Sequence, residues 1–257
     1  MTEYRKNPLL ESPVIIKVMA ESLEKSAREN NPAETLLYSN VMSHAGTGHR
    51  VIDIGAGIGR YAIPMAKAGV NVIAVEPSAE MCRHLFEAVE RENVKSKMEI
   101  IQSEWPVDRD LHADVAFASF VIQFSSDPVG FIHAMERSAR NRCILSVHVD
   151  QPLALLKSIW PVFRPDEPVP SMIAFSDLYP MMLNDGIMAD VTIIKEDQHP
   201  SPAMKPEKMT AMISDLLGIR DKPDEMQRLV NIINTKKEQM QQPHTVRSAL
   251  ISWSPDR

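Results

Sequence analysis

Between Arg50 and Val149 the chain alternates short Val/Ile/Ala-rich runs with segments of helical periodicity, and few architectures accept that rhythm. The runs are RVIDIGA (50–56), NVIAVEP (71–77), KMEIIQSE (97–104), ADVAFASF (113–120) and RCILSVHV (142–149). A strand with one wet face alternates polar and apolar residues, so runs this continuously apolar need cover on both faces. GRYAIPMAKAG, SAEMCRHLFEAVERENV and DPVGFIHAMERSARN read as helices that supply it, the second with Ser78 as its N-cap. The pattern predicts an α/β fold with a mainly parallel, doubly wound sheet.

The first run ends in Asp53-Ile54-Gly55-Ala56-Gly57-Ile58-Gly59 and leads into a helix. Glycines there let the backbone approach a ligand with no Cβ in the way. The helix that follows directs N–H groups and partial positive charge at the loop, which favours a carboxylate or a phosphate. Glu76 closes the second run, beside the loop in such a sheet, where an acid accepts hydrogen bonds from ribose hydroxyls. A nucleoside with an anionic or zwitterionic tail fits both ends. Dinucleotide sites prefer G-x-G-x-x-G, and here Arg60 stands where the third glycine would be.

The segment from Asp53 to Gly59, with Glu76, resembles motif I and its acidic partner in the class I S-adenosylmethionine-dependent methyltransferases. The resemblance spans about residues 45–150, and the strands after Gly186 suit the same fold. It implies a doubly wound, mainly parallel seven-stranded sheet with helical cap insertions, and S-adenosyl-L-methionine as cofactor. By resemblance, Gly55, Ala56, Gly57 and Gly59 cradle the methionine moiety, and Asp53 shapes the loop or meets the amino group. Glu76 holds the ribose, Pro77 begins the next turn, and Met81 packs on the adenine. Ser103, Glu104 and Trp105 occupy the loop that faces the adenine, in a departure from the family's usual Asp-Ala pair. Trp105 is equally a core residue. Ser119 and Phe120 line the cofactor and acceptor site. An NAD(P)-dependent oxidoreductase and a non-catalytic S-adenosylmethionine-binding partner subunit remain as rivals. Glu76→Ala is expected to weaken cofactor binding with little loss of stability.

Several acceptors are disfavoured. The stretch SFVIQF lacks the Asp/Asn-Pro-Pro-aromatic motif of amino-methylating DNA enzymes, and neither cysteine follows a proline. The net charge of −6 and the lack of a Lys/Arg stripe speak against nucleic acid and membranes as partners. A small-molecule methyl acceptor is the remaining expectation. The histidines show no ligand spacing, so no metal is expected, and His44 and His49 read as a solvated turn. His148, near the end of the fifth run, is the candidate catalytic base, with a structural histidine as the alternative. Asp150 is expected on the same side, and Tyr38 and Tyr61 are weaker candidates for cofactor or substrate contact. The N-terminus lacks the apolar core of a secretory signal, and Cys82 and Cys143 have no CxxC partner, so a reducing cytoplasm is expected.

The expected organisation is one methyltransferase domain over 1–257, with its core at about 45–150, 176–196 and 243–257. Helical cap segments are expected at about 5–42, 151–175 and 197–242. The first contains an amphipathic helix over 13–30 and a short one over 32–42. The last is read as purely helical from Glu196 on, with stripes Met209/Met212/Ile213/Leu216/Leu217 and Met226/Leu229/Val230/Ile232/Ile233. Packing on the sheet's flank or a homodimer interface is the alternative use of those stripes.

Overall fold

A computed structural model describes residues 31–150, 154–170, 172–198, 205–237 and 244–255. The helix expected over 13–30 lies outside the described residues. The strands are β1 (Arg50–Ile54), β2 (Asn71–Glu76), β3 (Met98–Gln102), β4 (Ala113–Ser119), β5 (Ala139–His148), β6 (Asp190–Gln198) and β7 (His244–Trp253). Helices, numbered within the described residues, are α1 (Leu36–His44), α2 (Ala62–Lys67), α3 (Ala79–Arg91), α4 (Pro128–Ser138), α5 (Ala154–Phe163), α6 (Phe175–Asn184), α7 (Pro206–Leu217) and α8 (Pro223–Thr235).

The strands form one seven-stranded sheet in the order β3-β2-β1-β4-β5-β7-β6. The first five pair in parallel, and β7 runs antiparallel to both β5 and β6. The chain winds outward from β1 to β3, then returns to β4 and winds the other way. The direction reverses between β1 and β4, and crevices at such a reversal are where open α/β sheets bind ligands.

Both faces are apolar, with side chains alternating between them at the strand period. On one face Ile52, Ile54, Ile73, Val75, Ala116, Leu145 and Ile251 pack under α4 and α6 through Phe131, Ile132, Met135, Leu178 and Met182. On the other, Val51, Val72, Ala74, Val115, Phe117 and Ile144 pack under α1, α2 and α3 through Leu37, Val41, Met65, Leu85 and Val89. A third cluster joins α5, α7 and α8 through Ile159, Trp160, Ile213, Leu217, Leu229 and Ile233.

Two boundaries differ from expectation. The stretch from Glu196 is not purely helical, because β6 continues to Gln198, held by backbone pairing as far as His244. Within the expected cap segment 5–42, α1 covers the sheet: its buried stripe, Leu37 and Val41, lies on the Val115/Phe117/Ile144 face. No described helix is long and apolar enough to cross a membrane.

Candidate active site

The loops after β1 and β4 diverge at the reversal point and touch there. Gly55 adopts φ +71°, and a Cβ on it would lie 2.3 Å from Cγ2 of Val121. Only glycine permits this backbone and this approach together. Gly59, at φ +87°, serves packing, since a Cβ there would meet Leu85 and Ile63. Across from the glycine loop, Phe120 adopts φ 57°, a conformation that is strained for an aromatic residue. Its N–H donates to the Ser146 carbonyl at 2.8 Å, which fixes the turn out of β4.

Between these loops lies a cavity of ≈ 500 Å³. It gathers nearly every residue expected from the sequence: Asp53, Gly55, Ala56, Gly57, Glu76, Pro77, Met81, Ser103, Glu104, Trp105, Ser119 and Phe120 all line it. Gly59 instead borders a smaller neighbouring cavity. Tyr61 lines the main cavity, whereas the Tyr38 hydroxyl is occupied with the Pro64 carbonyl at 3.4 Å. His148 does not line it; its ring lies against Phe120 with centroids 4.5 Å apart. Asp150 is engaged in an ion pair with Arg247.

The sequence reading missed Arg60, Val121, Phe124, Ser125, Ser126 and Phe131 on the wall. The apolar ones look like core residues in the sequence. For Val121 and Phe124 the signal was position, directly after β4 where the fold presents ligands, whereas Phe131 stands within α4.

Two carboxylates set the electrostatics. Glu76, 7% exposed, accepts the Gly57 N–H on Oε2 at 2.9 Å and the Ser78 N–H on Oε1 at 2.8 Å. Burial pushes its carboxyl up, and these two N–H groups oppose the shift. Each oxygen keeps a lone pair for a further donor such as a ribose hydroxyl. Asp53, 3% exposed, has no hydrogen-bond partner on Oδ2. Burial, with the Glu76 charge nearby, pushes its carboxyl up to about 8, against an opposing N–H from Ala62. An orphaned buried acceptor on a cavity wall is the complement of a ligand donor, and an ammonium group meets that need best. Ser78 caps α3 by accepting the Met81 N–H at 3.3 Å, and this turns Met81 into the cavity wall. Trp105 donates its indole N–H to the Phe131 carbonyl at 3.2 Å, so it is both a wall and a core residue. The residues therefore fit a nucleoside bearing an amino-acid tail.

Residues 31–158 match the TRM5/TYW2 methyltransferase domain family. A comparison with curated protein sequences finds no match. Among solved structures, the chain is similar to YjhP from E. coli, with a TM-score of 0.58, 14% identity, and coverage of 93% of this chain and 99% of that one. It is also similar to magnesium protoporphyrin IX methyltransferase from Synechocystis PCC 6803 with bound SAH, with a TM-score of 0.50, 17% identity, and coverage of 71% and 77%. A third neighbour is the [4+2]-cyclase SpnF, with a TM-score of 0.53, 14% identity, and coverage of 94% and 95%. At such identities these likenesses speak for the fold. With the family match over 31–158, the chain belongs to the class I S-adenosylmethionine-dependent methyltransferases, with S-adenosyl-L-methionine as its cofactor.

Proposed function

We propose that this methyltransferase acts on a small acceptor with an apolar face, admitted beside Phe120, Val121 and Phe124. The observation that carries the reading is the cavity wall. Phe120, Val121, Phe124 and Phe131 form its apolar side, and Arg60 is the one cation against Asp53, Glu76 and Glu104 among the lining residues. A nucleic-acid acceptor needs cations to replace the counterions of its phosphates, and this wall offers the opposite balance. The TRM5/TYW2 family acts on tRNA, so RNA is the second reading.

The cofactor supplies an electrophilic methyl group. The chain's part is then to align the acceptor and exclude water, for which positioning alone supplies roughly 7–11 kcal/mol in favourable cases. In this reading Asp53 meets the ammonium group, Glu76 the ribose, and Met81 and Trp105 flank the base. His148 holds the Phe120 ring in place and moves no proton, because it does not reach the cavity.

The same proposal makes the chain one methyltransferase domain with α5, α7 and α8 as a cap. It is supported by Met172, against which both Phe124 of the wall and Met212 and Leu216 of α7 pack. A cytoplasmic setting is supported by the two unpaired, buried thiols, Cys82 and Cys143.

The test is transfer from methyl-tritiated S-adenosylmethionine to bulk tRNA in one arm and to a low-molecular-weight cell extract in the other. Label in the small-molecule fraction alone is expected. Label in tRNA with none in the extract would sink the small-acceptor reading.

A further inference from the structure

Arg60 follows the glycine loop at the position where a dinucleotide site would carry glycine. Its side chain is half-buried and lines the main cavity. Its Nε is buried without a hydrogen-bond partner. The guanidinium carbon lies over the Tyr61 ring, 5.4 Å from its centroid, a cation–π contact that takes up none of its N–H donors. Among the described residues no carboxylate pairs with it, although Asp53, at the other end of the same loop, also has an unpartnered oxygen. Desolvating a guanidinium without a partner is costly, so a position like this makes sense when a ligand anion completes it.

Resting on the cofactor reading, we infer that Arg60 is the specificity residue that recognises the α-carboxylate of the cofactor's amino-acid tail. The acid with its unpartnered Oδ2 and the guanidinium with its unpartnered Nε form two halves of a receptor for an α-amino carboxylate. Asp53 takes the ammonium, and the planar fork of Arg60 takes both carboxylate oxygens. Arg60 also borders the smaller cavity, with Glu87 and Glu92 on that wall. Both of these acids are paired elsewhere, Glu87 with Arg83 and Glu92 with Lys67. An occupant there would find no orphaned acid beside Arg60, so only the main cavity matches a zwitterion.

The experiment is calorimetric titration of the full chain with S-adenosylmethionine and with its decarboxylated analogue, which keeps the ammonium and loses only the carboxylate. The wild type should prefer S-adenosylmethionine by about 10- to 150-fold, the range for a hydrogen bond to a charged group. Arg60→Met should bind both ligands alike, at the wild-type level for the decarboxylated one. Arg60→Lys, a point charge without the fork, should keep part of the preference, and it carries the test should the methionine variant fail to fold. The idea is overturned if either variant keeps the full preference, or if both ligands weaken by the same factor. Failure of the wild type to bind either ligand would instead strike the cofactor reading itself.

Discussion

Oε2 of Glu76 accepts the Gly57 N–H at 2.9 Å, so the acid at the end of β2 also pins the glycine loop that follows β1. Its other oxygen holds the Ser78 N–H at the entrance to α3. The carboxylate is thus structural before any ribose reaches it, which corrects the expectation that removing it costs little stability. Glu76→Ala should leave both N–H groups unpaired and lower unfolding stability by about 1–3 kcal/mol, besides weakening the cofactor. Glu76→Gln keeps one acceptor and should fall between. Urea denaturation alongside calorimetry checks this, and an unchanged unfolding midpoint for the alanine variant would refute it.

Asp53 gives the pH dependence. Its carboxyl is raised to about 8 in the fold, against an ordinary value of 3.8. Between those values the native state holds a proton that the unfolded state has released. Stability of the ligand-free protein from this source is therefore greatest below about pH 4 and is lost as pH rises through about 8. A bound ammonium favours the carboxylate, so cofactor binding at pH 7 should expel a proton, and affinity should rise from pH 6 to 8. Asp53→Asn has nothing to titrate: its affinity should be flat, and its stability relative to wild type should improve with pH. Calorimetry in two buffers of different ionisation enthalpy counts the proton, and equal slopes for both proteins would exclude Asp53 as its source.

The contact between the two loops predicts a coupled pair. Gly55→Ala places a methyl group 2.3 Å from Val121 Cγ2 in a backbone at φ +71°. Strain of about 1–2 kcal/mol for the left-handed conformation adds to overpacking of about 1–3 kcal/mol. In a Val121→Ala background the two Cγ atoms are gone and only Cβ, at 3.1 Å, still presses on the new methyl, so the conformational part should remain with little of the overpacking. Denaturant unfolding of the four proteins gives the coupling energy, and an equal cost of Gly55→Ala in both backgrounds would show that the loops do not press on each other.

The sheet was legible because its burial is two-sided: Val51 and Ile52, or Val72 and Ile73, face opposite cores, and both must be apolar. The nucleoside end of the cavity was legible for a related reason. Gly55, Glu76 and Ser78 each satisfy a local backbone requirement that few residue types meet. The insertion of β7 between β5 and β6 follows from how the chain returns through α7 and α8, which no local pattern encodes. The Leu37/Val41 stripe announces a buried face without saying which surface buries it. Val121, Phe124 and Phe131 differ from core residues only in where they stand. Arg60 read as a missing glycine because what distinguishes it, a buried Nε without a hydrogen-bond partner on the cavity wall, is a property of three dimensions.

The Phe120–His148 contact supplies the last prediction. Phe120 sits at φ 57° against a cavity wall, a strain of about 1–3 kcal/mol that its surroundings must hold. Two contacts do so: its N–H to the Ser146 carbonyl, and its ring against the His148 imidazole at 4.5 Å. Burial lowers the His148 pKa, with Asp150 opposing, so the ring is neutral at pH 7 and meets Phe120 as an uncharged ring tilted by 33°. The stability it contributes is present above its unfolded pKa and is lost as pH falls through the lower folded value. If its work is to support Phe120, His148→Phe should keep cofactor affinity and turnover, with an alkaline pH profile like that of wild type. His148→Ala should raise the cofactor Kd and the acceptor KM more than it lowers kcat, because a loosened wall disturbs binding first. A base would behave oppositely: both variants would lose kcat, and the acid limb of the wild-type profile would vanish with the ring. A kcat collapse in the phenylalanine variant with cofactor affinity intact would return His148 to proton transfer.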